Sequence, residues 1–318
     1  MLCKKPIYVP ASGGIVPCGQ CRHCRINKRR RKVARCALEA RCNSGDALFV
    51  TLTYKDDFLP ETIFDPRTGE VLYSHPRGCL DKHAIQKFFK RVLRAFPPRS
   101  IRYFYCGEYG EEKERPHYHM VIWGIPWKSR DIIFRSWTDT FTGELLCNPD
   151  RLQIEVPRSN SDVANYCCSY IMKARTNGEN ESVKQWLDGR PPEFFHSSKG
   201  LGLAAVSGIA ATLHNSVDVP REFLLEGKVY PMDRYLQEKI LDVLPQGSQI
   251  REARLSAFQK EMSDLYSRAR PTAKIERLLG IEQDERVYAA SLVKQFVSEK
   301  AVEMDLVDKR LDFFERKN

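Results

Sequence analysis

Two apolar stretches in the middle of the chain limit the fold more than any other feature. Residues 101–107 and 117–123 are rich in aromatic and β-branched side chains, and a polar connection, residues 108–116, joins them. Such stretches on either side of a short polar link are typical of paired strands. We therefore expect an antiparallel hairpin here, and an antiparallel sheet around it.

The surrounding pattern mixes strands with helices. Apolar residues recur at helical spacing in residues 80–96, where Asp81 is a candidate N-cap, and no regular βαβ repeat is present. The predicted fold class is therefore α+β, an antiparallel sheet with helices on one face. The further predictions are strands at 47–54 and 152–156, helices at 129–138 and 162–174, and a loop or hairpin at 57–79.

The length of 318 residues allows two or three modules. We expect a Cys-rich clip followed by a basic helix in residues 1–45, a catalytic domain in 46–215, and a helical C-terminal region in 216–318. The charged helical patterns of that last region lie at 234–244, 250–269 and 286–315.

Charge and cysteine usage bear on the setting of the protein. A formal net charge of +10 favours an anionic partner such as nucleic acid. Eleven cysteines form an odd, unevenly placed set, and the chain opens without the apolar core of a signal peptide. The weakly polar run 201–213 is too short for a membrane span, which takes about 20 apolar residues. We expect a reducing cytoplasm and no membrane.

A pair of histidines lies on the second predicted strand. Residues two apart point to the same face, so His117 and His119 lie about 7 Å apart along the chain and can share one divalent metal ion. A hairpin brings Glu108 close to His117, and a carboxylate with two imidazoles suits Mg²⁺ or Mn²⁺. The alternatives are a hydrogen-bonded histidine pair and a surface glutamate.

A pair of tyrosines lies on the predicted helix 162–174. Tyr166 and Tyr170, four residues apart, stack on one helix face, and Lys173 follows on that side. A tyrosine hydroxyl becomes a competent nucleophile only near a cation, metal ion or base, a role open to Lys173. The alternative is that both tyrosines are amphipathic core residues.

Four N-terminal cysteines match the ligand number of a structural zinc site. Cys3, Cys18, Cys21 and Cys24 supply four thiolates, three of them in one turn-rich segment. An iron–sulfur cluster and uncoordinated thiols are the alternatives. The other cysteines lack such grouping, and ordinary thiols suffice for them.

Several groups are candidates for contact with nucleic acid. A run of cations on the first helix could bind phosphates or form a solvated face; it comprises Arg25, Lys28, Arg29, Arg30, Arg31 and Lys32. Segment 197–202 could bring backbone amides to DNA or form a plain turn. Four aromatic residues could stack bases, although core positions are commoner for them: Phe104, Tyr105, Trp123 and Trp127.

The ordered motifs carry a family resemblance. Thr51-Leu52-Thr53-Tyr54, Cys106-Gly107-Glu108-Tyr109-Gly110, Arg115-Pro116-His117-Tyr118-His119 and the Tyr166, Tyr170, Lys173 spacing resemble HUH endonucleases. The chain is similar to the replication initiation proteins of microviruses, the gokushovirus-type single-stranded-DNA phages, in residues 16–29 and 230–235 as well. The resemblance covers about residues 1–240.

This resemblance implies a five-stranded antiparallel sheet in a ferredoxin-like arrangement, with the histidine strand central and the tyrosine helix beside it. It implies that His117, His119 and Glu108 bind Mg²⁺ or Mn²⁺. Tyr166 and Tyr170 would be nucleophiles that nick and rejoin single-stranded DNA in rolling-circle replication. Ser169 and Ala174 stand where relatives commonly carry basic residues, which leaves Lys173 as the matching cation.

The implied partners are single-stranded DNA at a replication origin and the host replication helicase and polymerase, in the host bacterial cytoplasm. Two other functions stay open. One is a non-catalytic, zinc-containing nucleic-acid-binding protein, indicated by the cysteines and the basic run. The other is a conjugative relaxase or plasmid initiator with the same chemistry.

Overall fold

The computed structural model describes residues 3–10, 14–43, 47–97, 101–157, 181–225, 227–279 and 285–315. The chain divides into two compact units. The terminal unit comprises Met1–Lys28, Leu213–Val219 and Leu241–Asn318, and the sheet unit comprises Arg29–Thr212 and Pro220–Ile240. The division into domains at residues 45 and 215 stays a prediction.

The described strands are β1 (Ile7–Val9), β2 (Gly14–Val16), β3 (Ala47–Leu52), β4 (Thr62–Phe64), β5 (Val71–Ser74), β6 (Arg102–Tyr109), β7 (Pro116–Trp123), β8 (Gln153–Glu155), β9 (Phe194–Ser197), β10 (Glu222–Leu225) and β11 (Lys228–Pro231). The described helices are α1 (Arg22–Cys42), α2 (Lys82–Arg94), α3 (Asp131–Ser136), α4 (Glu181–Leu187), α5 (Val206–Thr212), α6 (Arg234–Leu241), α7 (Gly247–Leu278) and α8 (Glu285–Glu315). The predicted helix at 162–174 lies outside the described residues.

A five-stranded antiparallel sheet forms the sheet unit, with the order β8-β3-β7-β6-β9. Its central strand β7 carries both histidines, and β6 and β7 form the predicted hairpin. Residue patterns had indicated four of the five strands, and β9 was missed because it contains only four residues. The ferredoxin-like arrangement implied by the resemblance stays a proposal.

The two faces of the sheet bury different side chains. On β7, Tyr118, Met120 and Ile122 belong to a core that includes residues of α2, α3 and α4. Because side chains alternate along a strand, His117, His119, Val121 and Trp123 point to the other face. The histidines therefore lie opposite the larger hydrophobic core.

Helix α1 covers the second face, which corrects the prediction that helices lie on one face only. Val33, Ala34, Cys36, Ala37 and Ala40 of this helix pack in one cluster with Ala47, Phe104, Val121 and Trp123 of the sheet. The basic run had drawn attention away from the apolar residues that follow it. They continue the same helix to Cys42.

Two local features position the strands. The side chain of Asp81 accepts a hydrogen bond from the backbone of His83 at 2.7 Å, so the predicted N-cap of α2 is confirmed. The guanidinium of Arg190, which is 2% exposed, donates to the carboxylate and carbonyl of Glu114 in the β6–β7 loop at 3.0 and 3.1 Å. Arg190 also lies over the rings of Tyr109 and Trp186.

The terminal unit has a small core of its own. Met262 and Leu265 of α7 and Leu292 of α8 pack with Tyr8 and Ile15 of the β1–β2 hairpin. Charged pairs add to this packing: Arg22 contacts Asp312 at 2.7 Å, and Lys4 and His23 both contact Asp308. The N-terminal segment and the last helix therefore form one body.

The predicted C-terminal helices correspond to α6, α7 and α8, and the hairpin β10–β11 before them was not predicted. None of the helices in the described part of the chain combines the length and the hydrophobicity that a membrane span requires.

A buried carboxylate links α1 to the turn after β9. Glu39, 2% exposed, accepts hydrogen bonds at 2.7 Å from the backbone of Gly202 and from the side chain of Asn43. Gly202 has φ +82°, and a Cβ at this position would lie 3.3 Å from the backbone of Arg35. Only glycine fits both the left-handed conformation and the close approach.

We expect Glu39→Ala to destabilise the sheet unit by about 1–3 kcal/mol, because it leaves the buried Gly202 amide without an acceptor. Glu39→Gln keeps an acceptor oxygen and is the matched control. Burial raises the pKa of Glu39 above its usual 4.5, so the charged form is disfavoured and the wild type loses stability as the pH rises.

Thermal unfolding followed by circular dichroism measures both effects. Glu39→Gln should unfold at or above the wild-type temperature at pH 7, and this difference should shrink as the pH falls toward 4.5. Equal losses in the two variants would contradict the role of the hydrogen bond.

Candidate active site and metal centre

The histidine pair and Glu108 meet on one face of the two central strands. In the register of β6 and β7, Glu108 lies opposite His117, and Cys106 lies opposite His119. The Nε2 atom of His119 lies 3.1 Å from Oε1 of Glu108, and the side chains are 12% and 18% exposed. The two imidazole centroids are 6.4 Å apart.

The next strand orients His119. Nδ1 of His119 lies 3.2 Å from the hydroxyl of Thr51, which is opposite it on β3, and the ring of Phe49 stacks on the imidazole at 6.3 Å. If Nε2 gives its lone pair to a cation, Nδ1 carries the proton and donates to Thr51. Thr51 can therefore hold His119 in the tautomer that a ligand role needs.

His117 has both its ring nitrogens available. Among the residues that the structure describes, no side chain or backbone group hydrogen-bonds to this imidazole. Burial, followed by the charges of His119 and Arg115, lowers the pKa of His117 to about 4. At neutral pH the ring is therefore uncharged, which is the form that coordinates a metal ion.

A close glycine restricts the position of the His117 ring. A Cβ on Gly110 would lie 2.7 Å from Cε1 and 2.9 Å from Nδ1 of His117. The backbone N–H of Gly110 donates to the carbonyl of Arg115 at 3.0 Å, closing the turn between β6 and β7. A glycine is therefore required where this turn passes the imidazole.

An open cleft of about 740 Å³ begins at His117. It includes four cationic side chains, those of Lys55, Lys113, Arg115 and Arg151, and three carboxylates. Arg115 pairs with Asp56 and donates to the carbonyl of Tyr54 at 3.0 Å. The volume is in the range of small-ligand sites, so a nucleotide-sized group could reach His117 from this side.

The potential ligands differ in how closely they converge. Within the described ranges, the one group of three or more candidate metal ligands whose donor atoms all lie within 4.8 Å is Cys3, Cys18, Cys21 and Cys24. His117, His119 and Glu108 share a face, with only His119 and Glu108 in contact.

The four cysteine sulfurs form a compact tetrad. The Sγ atom of Cys3 lies 3.5 Å from that of Cys18 and 3.9 Å from that of Cys21, and Cys18 and Cys24 are 4.0 Å apart. Four thiolates at about 2.3 Å from one tetrahedral ion are about 3.8 Å apart. In a four-iron cluster, each thiolate binds a separate iron and the sulfurs spread further. The tetrad can thus hold a single metal ion such as zinc.

Two backbone amides complete the surroundings of the tetrad. The N–H of Cys18 donates to the sulfur of Cys3 at 3.3 Å, and the N–H of Cys21 donates to the sulfur of Cys18 at 3.4 Å. Donors of this kind stabilise thiolates and orient them toward a metal ion. The other described cysteines lie outside the tetrad, and most of them are buried.

The remaining predicted residues are placed as follows. Tyr166, Tyr170 and Lys173 lie outside the described residues. In the basic run, Arg25, Lys28, Arg30 and Arg31 are exposed, whereas Arg29 and Lys32 are half-buried. Lys32 donates to the hydroxyl of Ser197 at 2.7 Å. The role of this run in DNA binding stays a prediction.

Three of the four suggested base-stacking aromatics are core residues. Phe104 and Trp123 are fully buried and Tyr105 is 6% exposed, whereas Trp127 is 45% exposed beneath the guanidinium of Arg130. Segment 197–202 is a turn whose amides bind within the protein: those of Ser198, Leu201 and Gly202 donate to Tyr103, Ser198 and Glu39 respectively.

Sequence reasoning did not single out Thr51, Phe49 or Gly110. Thr51 was quoted in a motif without a role, although its position two residues before Thr53 on a strand already placed both on one face. The contact between Gly110 and His117 depends on how the turn folds back, which spacing along the chain does not reveal.

Comparisons with known proteins agree with the motif resemblance. Residues 47–175 match the family model of the replication-associated protein ORF2, and this range contains the histidine and tyrosine motifs. No solved structure matches the chain.

Curated relatives are phage replication-associated proteins. The chain is 29% identical over 209 residues to Replication-associated protein ORF2 of Spiroplasma virus 4, covering 59% of this chain and 56% of that protein. It is 31% identical over 116 residues to ORF4 of Chlamydia phage 1, covering 36% and 25%. It is 24% identical over 266 residues to VP4 of Bdellovibrio phage phiMH2K, covering 79% and 76%.

The matched parts span about half the length of the Spiroplasma virus protein and about a quarter of the Chlamydia phage protein. All three relatives are replication-associated proteins of phages or viruses of bacteria. The predicted resemblance to phage replication proteins is thereby confirmed.

We expect the purified protein to contain one zinc ion per chain, measured by elemental analysis, with zinc–sulfur distances of about 2.3 Å in X-ray absorption spectra. Cys21→Ser removes one of the four thiolates and should lower the bound zinc severalfold. Cys42→Ser alters an exposed cysteine of α1 outside the tetrad and should leave the zinc content unchanged. Iron with acid-labile sulfide in place of zinc would contradict this assignment.

Proposed function

We propose that this chain, a relative of phage replication-associated proteins, nicks and rejoins single-stranded DNA to start rolling-circle replication. The observation that carries the proposal is the placement of Glu108 opposite His117, with His119 on the same face of the central strand, beside an open cleft. The family match supports it, because the matched range also contains Tyr166 and Tyr170.

The histidines and Glu108 would hold Mg²⁺ or Mn²⁺ next to the scissile phosphate. The residue types fit, because two neutral imidazoles and a carboxylate leave positions open for phosphate oxygens. A cation bound there would polarise the phosphate and offset the charge that grows on its oxygens. Thr51 holds the tautomer of His119, and Gly110 leaves room for the His117 ring.

Tyr166 or Tyr170 would supply the nucleophile, with Lys173 favouring the deprotonated hydroxyl. The phenolate oxygen attacks phosphorus, the phosphorus–oxygen bond to the 3′ carbon breaks, and the leaving oxygen takes a proton to become a 3′-hydroxyl. The strand stays attached through a 5′-phosphotyrosyl bond. Attack of a 3′-hydroxyl on that bond reseals the strand without ATP, and a second tyrosine allows a new cut while the first link is held.

The cleft and the basic run would bind the strand around the cut. Lys113 and Arg151 lie in the cleft beside His117, and the cations of α1 add affinity that does not depend on sequence. This function requires origin DNA that is locally single-stranded. It also implies a host helicase and polymerase as partners and the host bacterial cytoplasm as location.

The zinc-containing DNA-binding protein without catalysis is the second candidate function, and the cysteine tetrad favours it. A plasmid initiator or relaxase would use the same chemistry. The three curated relatives described above are all phage proteins, which supports the phage setting.

Denaturant-resistant protein–DNA adducts test the nuclease. The full-length protein is incubated with its own circular single-stranded genome and Mg²⁺ or Mn²⁺. Tyr166→Phe and Tyr170→Phe should each keep some adduct, and the double variant should form none, because phenylalanine has no nucleophile. His117→Ala should lower adduct formation by about 100-fold or more through lost charge stabilisation.

Tyr73→Phe, in β5 and outside the tyrosine motif, is the matched control and should form adducts like the wild type. Adducts formed by the double tyrosine variant would contradict the assigned nucleophiles. Intact DNA binding without an adduct under either metal would instead favour the DNA-binding protein.

Gly110→Ala tests the position of His117. Its methyl group would displace the imidazole, so we expect Mn²⁺ to bind about 10–100-fold more weakly, as measured by electron paramagnetic resonance of the free ion. Gly208→Ala in α5 is the control, because no atom lies within 4 Å of the added methyl. Unchanged Mn²⁺ affinity in Gly110→Ala would argue against His117 as a ligand.

A further inference from the structure

A second groove, of about 420 Å³, runs between α2 and the strands β6 and β9. Tyr103 and Tyr105 of β6 line it, and by strand alternation they point away from the face that carries Glu108. The groove therefore lies on the opposite face of the sheet from His117 and His119, next to the edge strand β9. None of the roles assigned above uses it.

Aromatic rings form the floor of this groove. Phe89 and Tyr103 stack at 3.9 Å with 23° between their planes. His196 lies 6.5 Å from Tyr103 and 5.7 Å from Tyr105, which is its direct partner in the sheet. His196 is exposed and Tyr103 half-buried, so both present ring surface to the groove.

Positive charge borders the rings. Lys82 and Lys90 of α2 line the groove, and the ammonium of Lys82 lies 5.1 Å from the ring centroid of Phe194. In the described part of the chain, neither lysine forms an ion pair, and the lining includes no carboxylate. Burial, followed by the charge of Lys32, lowers the pKa of His196, so its ring is neutral at pH 7 and offers a flat uncharged surface.

We propose that this groove is a second binding site for single-stranded DNA, which holds bases outside the cleaved step. The rings of Tyr103 and His196 stack with bases, and Lys82 and Lys90 contact the adjoining phosphates. The proposal rests on the proposed function, since it adds a DNA site to the same enzyme.

The combination of features favours a nucleic acid strand over a peptide. Sites for single-stranded DNA join a cationic groove to aromatic rings on which bases stack, and any base can stack. A peptide strand added to the edge of β9 would depend on backbone hydrogen bonds and would gain little from two unpaired lysines.

The first test compares two charge reversals on one helix. Lys90→Glu lies in the groove, whereas Lys87→Glu changes an exposed lysine of α2 outside the lining. Both are made in the full chain with Tyr166 and Tyr170 changed to phenylalanine, so that no covalent link forms. Fluorescence anisotropy with a labelled oligo(dT) of about 30 nucleotides, longer than one stacking groove occupies, then measures affinity at several salt concentrations.

We expect Lys90→Glu to weaken binding about 5-fold or more relative to Lys87→Glu, with a logarithmic salt slope about 0.7 smaller for one lost phosphate contact. Equal affinities and slopes of the two variants would overturn the proposal, whether the groove holds a peptide or nothing.

The stacking contacts are tested separately. His196→Ala removes an exposed ring and should weaken oligo(dT) binding about 5-fold or more, and Tyr103→Leu should do the same while keeping an apolar side chain. Photocrosslinking with 5-iodouracil in the oligonucleotide should label peptides containing Tyr103 or His196. Crosslinks confined to other peptides would contradict the site.

Cleavage assays separate this proposal from the proposed function. Lys90→Glu should form adducts normally with a short oligonucleotide that spans only the nick. Normal adducts together with equal affinities would refute the groove alone. Loss of adducts in every variant together with a difference between Lys90→Glu and Lys87→Glu would refute the nuclease and leave the DNA site standing.

Discussion

The register between β6 and β7 is the constraint on which the candidate site depends. It places Glu108 opposite His117 and puts His119 one pleat further along the same face. The turn that sets this register is held by Arg190, whose buried guanidinium binds both the carboxylate and the carbonyl of Glu114. Because a slip of one residue would turn every side chain to the other face, the register decides whether the ligands meet at all.

The same alternation divides the labour between the two faces of the sheet. One face carries the histidines at one end of β7, and helix α1 covers its other end through Val121 and Trp123. The other face buries Tyr118, Met120 and Ile122 under α2 and ends in the aromatic groove beside β9. A single thin layer of strands thus separates two surfaces with different chemistry.

Patterns of period two and 3.6 predicted the long elements well. The hairpin β6–β7, strand β3, helix α2 with its Asp81 cap and the three C-terminal helices were all expected from local sequence. The short strand β9 was missed because four residues carry too little periodic signal. The cover of α1 over the second face was missed because its basic half masked its apolar half. Contacts such as those of Gly110 with His117 and Thr51 with His119 join residues brought together by folding, so local patterns do not reveal them.

The terminal unit has a consequence for the order in which the protein matures. Arg22 and its partner Asp312 are 290 residues apart in the chain, and α8 completes the core that contains Tyr8 and Ile15. At about 5–20 residues per second, a ribosome makes the two partners about 15–60 s apart. The cysteine segment therefore leaves the ribosome long before its packing partner exists. During that interval, a metal ion in the tetrad would be the main constraint on its conformation, so metal supply during translation governs how much of the nascent chain reaches the native state.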